Sequence, residues 1–170
     1  VIGGVVLLTL VIIFGGTWLS SSSSTEEKER LSRPLLGEKM PDMGAQHVSE
    51  GATHTAYNSN PPTSGPHWAG LAGGGIKDKP VPDELILHSM EHGAAVIWYR
   101  EDLDQSDIDK IKEAFGASSG KKIMLGRKDL DVPVALTSWG YLLKLETVDE
   151  AKIKEFIETN NDRAPEKALI

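Results

Sequence analysis

All five histidines of this chain lie between His47 and His92, in a sequence of 170 residues. Imidazole is the commonest protein ligand for transition metals, and its charge changes near neutral pH. Four of the histidines belong to three short phrases, at residues 46–48 (QHV), 61–67 (PPTSGPH) and 88–92 (HSMEH). We therefore expect the histidines to form one chemical site, with the rest of the chain as its anchor and scaffold.

The spacing of His88 and His92 lets both imidazoles face one point. Residues i and i+4 share a face of a helix, and they also share a face of a strand, where Met90 would join them. The phrase also fits the H-x-x-E-H signature of inverted zinc peptidases. That signature needs a long helix, which the glycine and the apolar run after His92 argue against. Glu91 is better suited to orienting an imidazole beside a metal, or to accepting hydrogen bonds from the loop.

Two further histidines lie in stretches that could support a metal site. His67 follows three prolines, which restrict φ and stiffen the loop, and His47 follows Met40 and Met43. Imidazole and thioether ligands without a thiolate favour copper, and imidazole also suits zinc. The candidate ligands are His47, His67, His88, Met90, Glu91 and His92. In the alternative interpretation the histidines only hydrogen-bond the loop, and the methionines lie in the core or in the linker.

The composition argues against several classes of protein. The chain has no cysteine, which excludes disulfides, thiolate metal sites and a lipid-bearing cysteine. Its net charge of −7 argues against nucleic acid or anionic lipid as a partner and mildly favours a cation. We find no nucleophile–base spacing, phosphate-binding loop or cofactor fingerprint. We therefore identify no small-molecule substrate and favour a protein that is not an enzyme.

The beginning of the chain has the composition of a membrane anchor. The first 19 residues are almost all apolar, and the first charge is Glu26. About 20 apolar residues span a bilayer core of about 30 Å. We expect a transmembrane anchor at residues 1–20, with an uncleaved signal peptide as the alternative, and a linker at 21–36. The serine run and the acidic remainder favour an exoplasmic domain at 37–170.

Residue patterns in this domain predict an α+β fold, with a small, mainly antiparallel sheet, two covering helices and a long Pro/Gly-rich loop region. Apolar runs predict strands at residues 93–99, 122–125, 134–138 and 141–145. Apolar stripes predict one helix from Ser106 to Gly116 and another that opens with a capping box at residues 147–150. The loop region, residues 35–85, is long for a compact domain, and such loops are usually functional.

The phrases at residues 61–67 and 87–93 resemble motifs of a bacterial family known as domain of unknown function 3105. The resemblance extends over about residues 37–167 and implies an exported, membrane-anchored protein. It places the histidines of that family at His47, His67, His88 and His92 and leaves His54 without a counterpart. Many relatives carry a cysteine where this chain has glycines at residues 73–75, so any disulfide of those relatives is absent here.

These observations lead to one hypothesis and a rival. In the first, the protein is anchored by a single pass in the bacterial plasma membrane, and its outer domain binds copper or, as second choice, zinc. It would then be an accessory subunit of an integral membrane protein complex. In the rival, it is a purely structural interaction subunit whose histidines stiffen the loop without a metal. A hydrolase, the third class, lacks a recognisable nucleophile and base.

Overall fold

The computed structural model describes residues 25–170, and the chain divides after Pro34 into two units. In the first unit, residues 25–32 form helix α1. The predicted anchor at residues 1–20 lies outside the described residues. From residue 25 onward, no helix is long and apolar enough to cross a membrane. The predicted fold included a transmembrane helix. Among the described residues the structure has no such helix, and the prediction is corrected accordingly.

The second unit contains a six-stranded sheet, a two-stranded sheet and three helices. The order of the elements along the chain is β1 (Glu38–Lys39), β2 (His47–Val48), β3 (His67–Trp68), β4 (Gly75–Ile76), α2 (Asp83–Glu91), β5 (Ala95–Arg100), α3 (Gln105–Ala117), β6 (Lys122–Arg127), β7 (Val134–Ser138), β8 (Tyr141–Leu145) and α4 (Glu150–Asn160). The large sheet has the order β1-β8-β7-β5-β6-β4, and β2 pairs with β3. The fold class is α+β.

The large sheet is mixed, which corrects the predicted mainly antiparallel sheet: three strand pairings are antiparallel and two, both of β6, are parallel. β6 runs parallel to both β5 and β4, whereas β7 is antiparallel to β5 and to β8, and β1 is antiparallel to β8. A parallel pair needs a crossover, which α3 supplies between β5 and β6. The apolar pattern of a strand does not state the direction of its partner, and therefore the sequence did not predict this arrangement.

Alternating side chains of the central strands belong to two apolar clusters. In β5, Val96 and Trp98 join the cluster that includes α2, while Ala95 and Ile97 join the cluster that includes α3 and α4. This period of two is expected for a strand with helices packed on both faces. The two predicted covering helices are present as α3 and α4. The sequence had left the conformation of the His88 phrase open, and α2 is the third helix of this unit.

Gly93 makes the turn that joins α2 to β5. Its φ is +97°, and its N–H donates to the carbonyl of Met90. Its own carbonyl accepts a hydrogen bond from the N–H of Asp162 at 2.8 Å, so two chain segments meet here. A Cβ atom at this position would lie 2.8 Å from the Cα of Asp162. The close approach and the positive φ both require glycine.

We predict that Gly93→Ala lowers the free energy of unfolding by about 2–4 kcal/mol, because it adds backbone strain to a backbone clash. Chemical denaturation of the full chain measures the effect. Gly116→Ala is the matched control, since Gly116 is helical and a Cβ there meets nothing within 4 Å. That control should keep or raise the stability by up to about 1 kcal/mol. Equal stability of the two variants would contradict the role assigned to Gly93.

Candidate metal centre

The short parallel sheet brings two histidines together across 20 positions of sequence. His47 in β2 is the register partner of His67 in β3. The N–H of His67 donates to the carbonyl of Gln46 at 3.0 Å, and the N–H of Gly65 donates to the carbonyl of Gly44 at 2.8 Å. These backbone bonds hold the QHV and PPTSGPH phrases side by side. The peptide bond between Asn60 and Pro61, at the start of the second phrase, is cis.

Helix α2 contributes the other two members of the group. His88 and Glu91 are three residues apart and therefore share one face of the helix. Both are nearly buried, with 7% and 4% of their surface exposed. The apolar face of the same helix packs Leu87 and Met90 into the core. Burial of that apolar face thus determines where the polar face lies.

His47, His67, His88 and Glu91 converge on one point. Each residue offers one ligand atom, and these atoms all lie within 4.8 Å of one another. The Oε2 atom of Glu91 lies 3.0 Å from Nε2 of His67 and 3.3 Å from Nε2 of His47. The ring centroids of the three histidines are 4.8 to 5.3 Å apart. Three imidazoles and one carboxylate in this arrangement could hold a metal ion.

Backbone carbonyls determine the tautomers of two imidazoles. Nδ1 of His67 donates to the carbonyl of Gly65 at 2.8 Å, and Nδ1 of His88 donates to the carbonyl of Gly70 at 3.1 Å. A carbonyl oxygen can only accept, so each Nδ1 must carry the hydrogen. In the neutral rings, Nε2 then bears a lone pair, and in His67 that lone pair faces the carboxylate. Such second contacts are typical of metal-binding histidines.

The contact between Glu91 and His67 requires a hydrogen or a metal ion between its two atoms. A neutral His67 would direct the lone pair of Nε2 at a carboxylate oxygen that is itself only an acceptor. A buried carboxylate without a compensating charge costs several kcal/mol. A proton on the imidazole, a proton on the carboxyl or a metal ion can satisfy the two atoms. Burial lowers the pKa of His88, opposed by the Gly70 carbonyl and helped by the neighbouring histidines, and thereby favours the neutral form that can ligate.

Two of the six predicted ligands lie outside this group. Met90 is fully buried in the apolar core, because on a helix it does not share the face of His88 and Glu91. His92 follows the last residue of α2, with its ring 4.5 Å from that of His88. Both of its nitrogens contact the segment near residue 166: Nδ1 donates to the carbonyl of Leu169 at 2.8 Å, and Nε2 lies 3.2 Å from Glu166.

The sequence did not reveal the groups that orient the cluster. The carbonyls of Gly65 and Gly70 are backbone atoms, which no residue pattern marks as acceptors. The ring of Trp139 meets that of His67 edge-on, with centroids 5.8 Å apart. Trp139 lies in the turn between β7 and β8, and the N–H of the next residue, Gly140, donates to the carbonyl of Thr63.

The fifth histidine belongs to a separate pair. Nε2 of His54 lies 3.1 Å from Glu84, and its Nδ1 lies 2.9 Å from the carbonyl of Thr55. The carbonyl of Thr55 and then the carboxylate of Glu84 raise the pKa of His54, against a smaller opposing effect of desolvation. Both contacts are acceptors and favour the doubly protonated ring. The pair helps to hold the loop onto the first turn of α2.

We predict that His54→Gln destabilises the protein at about pH 6 and has a smaller effect at about pH 9. Because the pKa is raised on folding, the pair contributes fully below the ordinary histidine pKa of about 6.5, and its contribution is lost as the pH rises through the folded value. The free energy of unfolding, measured with a chelator present, tests this. Glu84→Gln should show the same pH dependence. A destabilisation of equal size at both pH values would exclude a charged pair.

Comparison with known proteins agrees with the motifs in the sequence. The family described as Protein of unknown function (DUF3105) matches residues 47–169. The matched region contains every residue of the histidine–glutamate group. No curated protein and no solved structure matches the chain. Since the family match covers well over half of its length, the chain belongs to the DUF3105 family.

Proposed function

We propose that this protein binds one divalent transition-metal ion through His47, His67, His88 and Glu91. The observation that carries the proposal is the contact of the buried Glu91 carboxylate with two imidazole Nε2 atoms, at 3.0 and 3.3 Å. In His67, the other nitrogen is already committed as a donor to a carbonyl. A cation among these atoms would satisfy the carboxylate and the Nε2 lone pairs together.

The distances are compatible with tetrahedral coordination. Ligand atoms about 2.0–2.1 Å from a zinc ion lie about 3.3–3.4 Å apart in a regular tetrahedron. The two contacts of Glu91, at 3.0 and 3.3 Å, are close to that value. The remaining pairs of ligand atoms, at no more than 4.8 Å, need only small side-chain rotations to close around an ion.

The positions of the methionines change the preferred metal. Copper was the first choice because thioethers were candidate ligands. Met40 and Met90 pack in one apolar cluster and Met124 in the other, and the sulfur of Met43 accepts a hydrogen bond from the N–H of Asn58. The candidate ligand set is therefore nitrogen and oxygen only, which suits zinc first and copper(II) second.

A bound ion would stabilise the loop region. It would tie β2, β3 and α2 together in a chain that has no cysteine for a disulfide. Binding to the folded state alone adds its free energy to that of folding. In the rival hypothesis, a protonated imidazole pairs with Glu91 and no ion is needed. The accessory role in an integral membrane complex stays a prediction, which co-purification with the full chain would test.

We predict that the purified full chain contains about one zinc ion per molecule and that a chelator lowers its melting temperature reversibly. A thousandfold excess of metal over Kd stabilises a protein by about 4 kcal/mol. Elemental analysis and thermal melts measure the two effects. His67→Ala and Glu91→Gln should remove the metal and the chelator effect. His54→Ala is the matched control and should keep both. If neither chelator nor added zinc changes the melting temperature of the wild type, the rival hypothesis is favoured.

A further inference from the structure

The four proposed ligands differ sharply in exposure. His67 is 0% exposed, His88 7% and Glu91 4%, so these three are enclosed by the protein. The side chain of His47 is 46% exposed. The site therefore opens to solvent on the side of β2, and His47 is the ligand that an outside molecule can reach first.

The ligands also differ in how firmly they are held. His67 and His88 are each tied through Nδ1 to a backbone carbonyl, and Glu91 lies in a helix whose other face is in the core. The side chain of His47 has one hydrogen-bond contact among the described residues, at Nε2 with Glu91. Its backbone lies in the two-residue strand β2, with exposed residues at 44–46 and 49–53 on either side. The ring of His47 contacts the rings of His67 and His88 edge-on and belongs to neither apolar cluster.

On the basis of the proposed metal site, we infer that His47 is an exchangeable ligand and that an outside imidazole can take its place on the ion. His67, His88 and Glu91 would keep hold of the metal while the fourth position changes ligand. Three protein ligands and one open position are the arrangement that lets a zinc site accept an external group, whereas a purely structural site is closed by four protein ligands. The ion would enter and leave on the side of β2, received from or passed to a nitrogen donor such as a histidine of another protein.

The test uses the full chain loaded with Co²⁺, whose visible absorption reports the ligand set. His47→Gly should still bind Co²⁺, about 10–100-fold more weakly, and should release it to a chelator at least about tenfold faster than wild type. Added imidazole should restore the wild-type spectrum and slow the release. His67→Gly is the matched variant. It removes a fully buried ring, so added imidazole should not restore its spectrum. Circular dichroism of the apo forms checks that both variants remain folded.

The outcomes separate this inference from the proposed function. If wild type binds Co²⁺ but imidazole leaves the spectrum and release rate of His47→Gly unchanged, exchange at His47 is overturned and the metal site stands. Equal rescue of His67→Gly by imidazole also overturns it, because a buried position would then be just as accessible. If wild type binds neither Co²⁺ nor Zn²⁺, the proposed function fails and the inference fails with it. Replacement of imidazole by a short histidine-containing peptide shows whether a protein donor is accepted as well.

Discussion

A carboxylate buried among imidazoles is the constraint on which the site depends. Glu91 is 4% exposed, and its Oε2 atom contacts two histidine nitrogens from a different part of the chain. A buried negative charge is tolerated only with a compensating positive charge and hydrogen bonds. The β2–β3 pair and helix α2 must therefore meet at this point, whether a proton or a metal ion supplies the charge. The long loop region, residues 35–85, contributes β2 and β3, which carry His47 and His67 to Glu91.

Helix α2 connects this polar group to the apolar core. Ile86, Leu87 and Met90 anchor one face, and the burial of that face positions His88 and Glu91 on the other. Beyond the helix, the backbone carbonyl of Glu91 accepts a hydrogen bond from the N–H of Glu166, and both nitrogens of His92 contact the same late segment. The site is thus supported by the β2–β3 sheet on one side and by residues 162–170 on the other.

The arrangement combines a rigid inner part with a more accessible outer ligand. His67 and His88 receive their orientation from carbonyls of Gly65 and Gly70, in loops that the backbone holds in place. His47 shares the contact with Glu91 but is half-exposed and lies on a minimal strand. A metal centre built this way would hold its ion through buried ligands and exchange it through the exposed one. A chain without cysteine would achieve both with imidazole and carboxylate alone.

The sequence by itself determined the local features. The apolar runs predicted β7 and β8 at their observed residues, 134–138 and 141–145. The apolar stripes located α3 and α4. Both kinds of pattern depend only on the period of the element itself. The confinement of all histidines to one window pointed to the region of the site. The tertiary structure alone decided the rest. Strand direction depends on partners far along the chain, and Met90 lies in the apolar core because packing made its segment a helix. The carbonyls that orient the imidazoles are backbone atoms, whose positions exist only once the chain has folded.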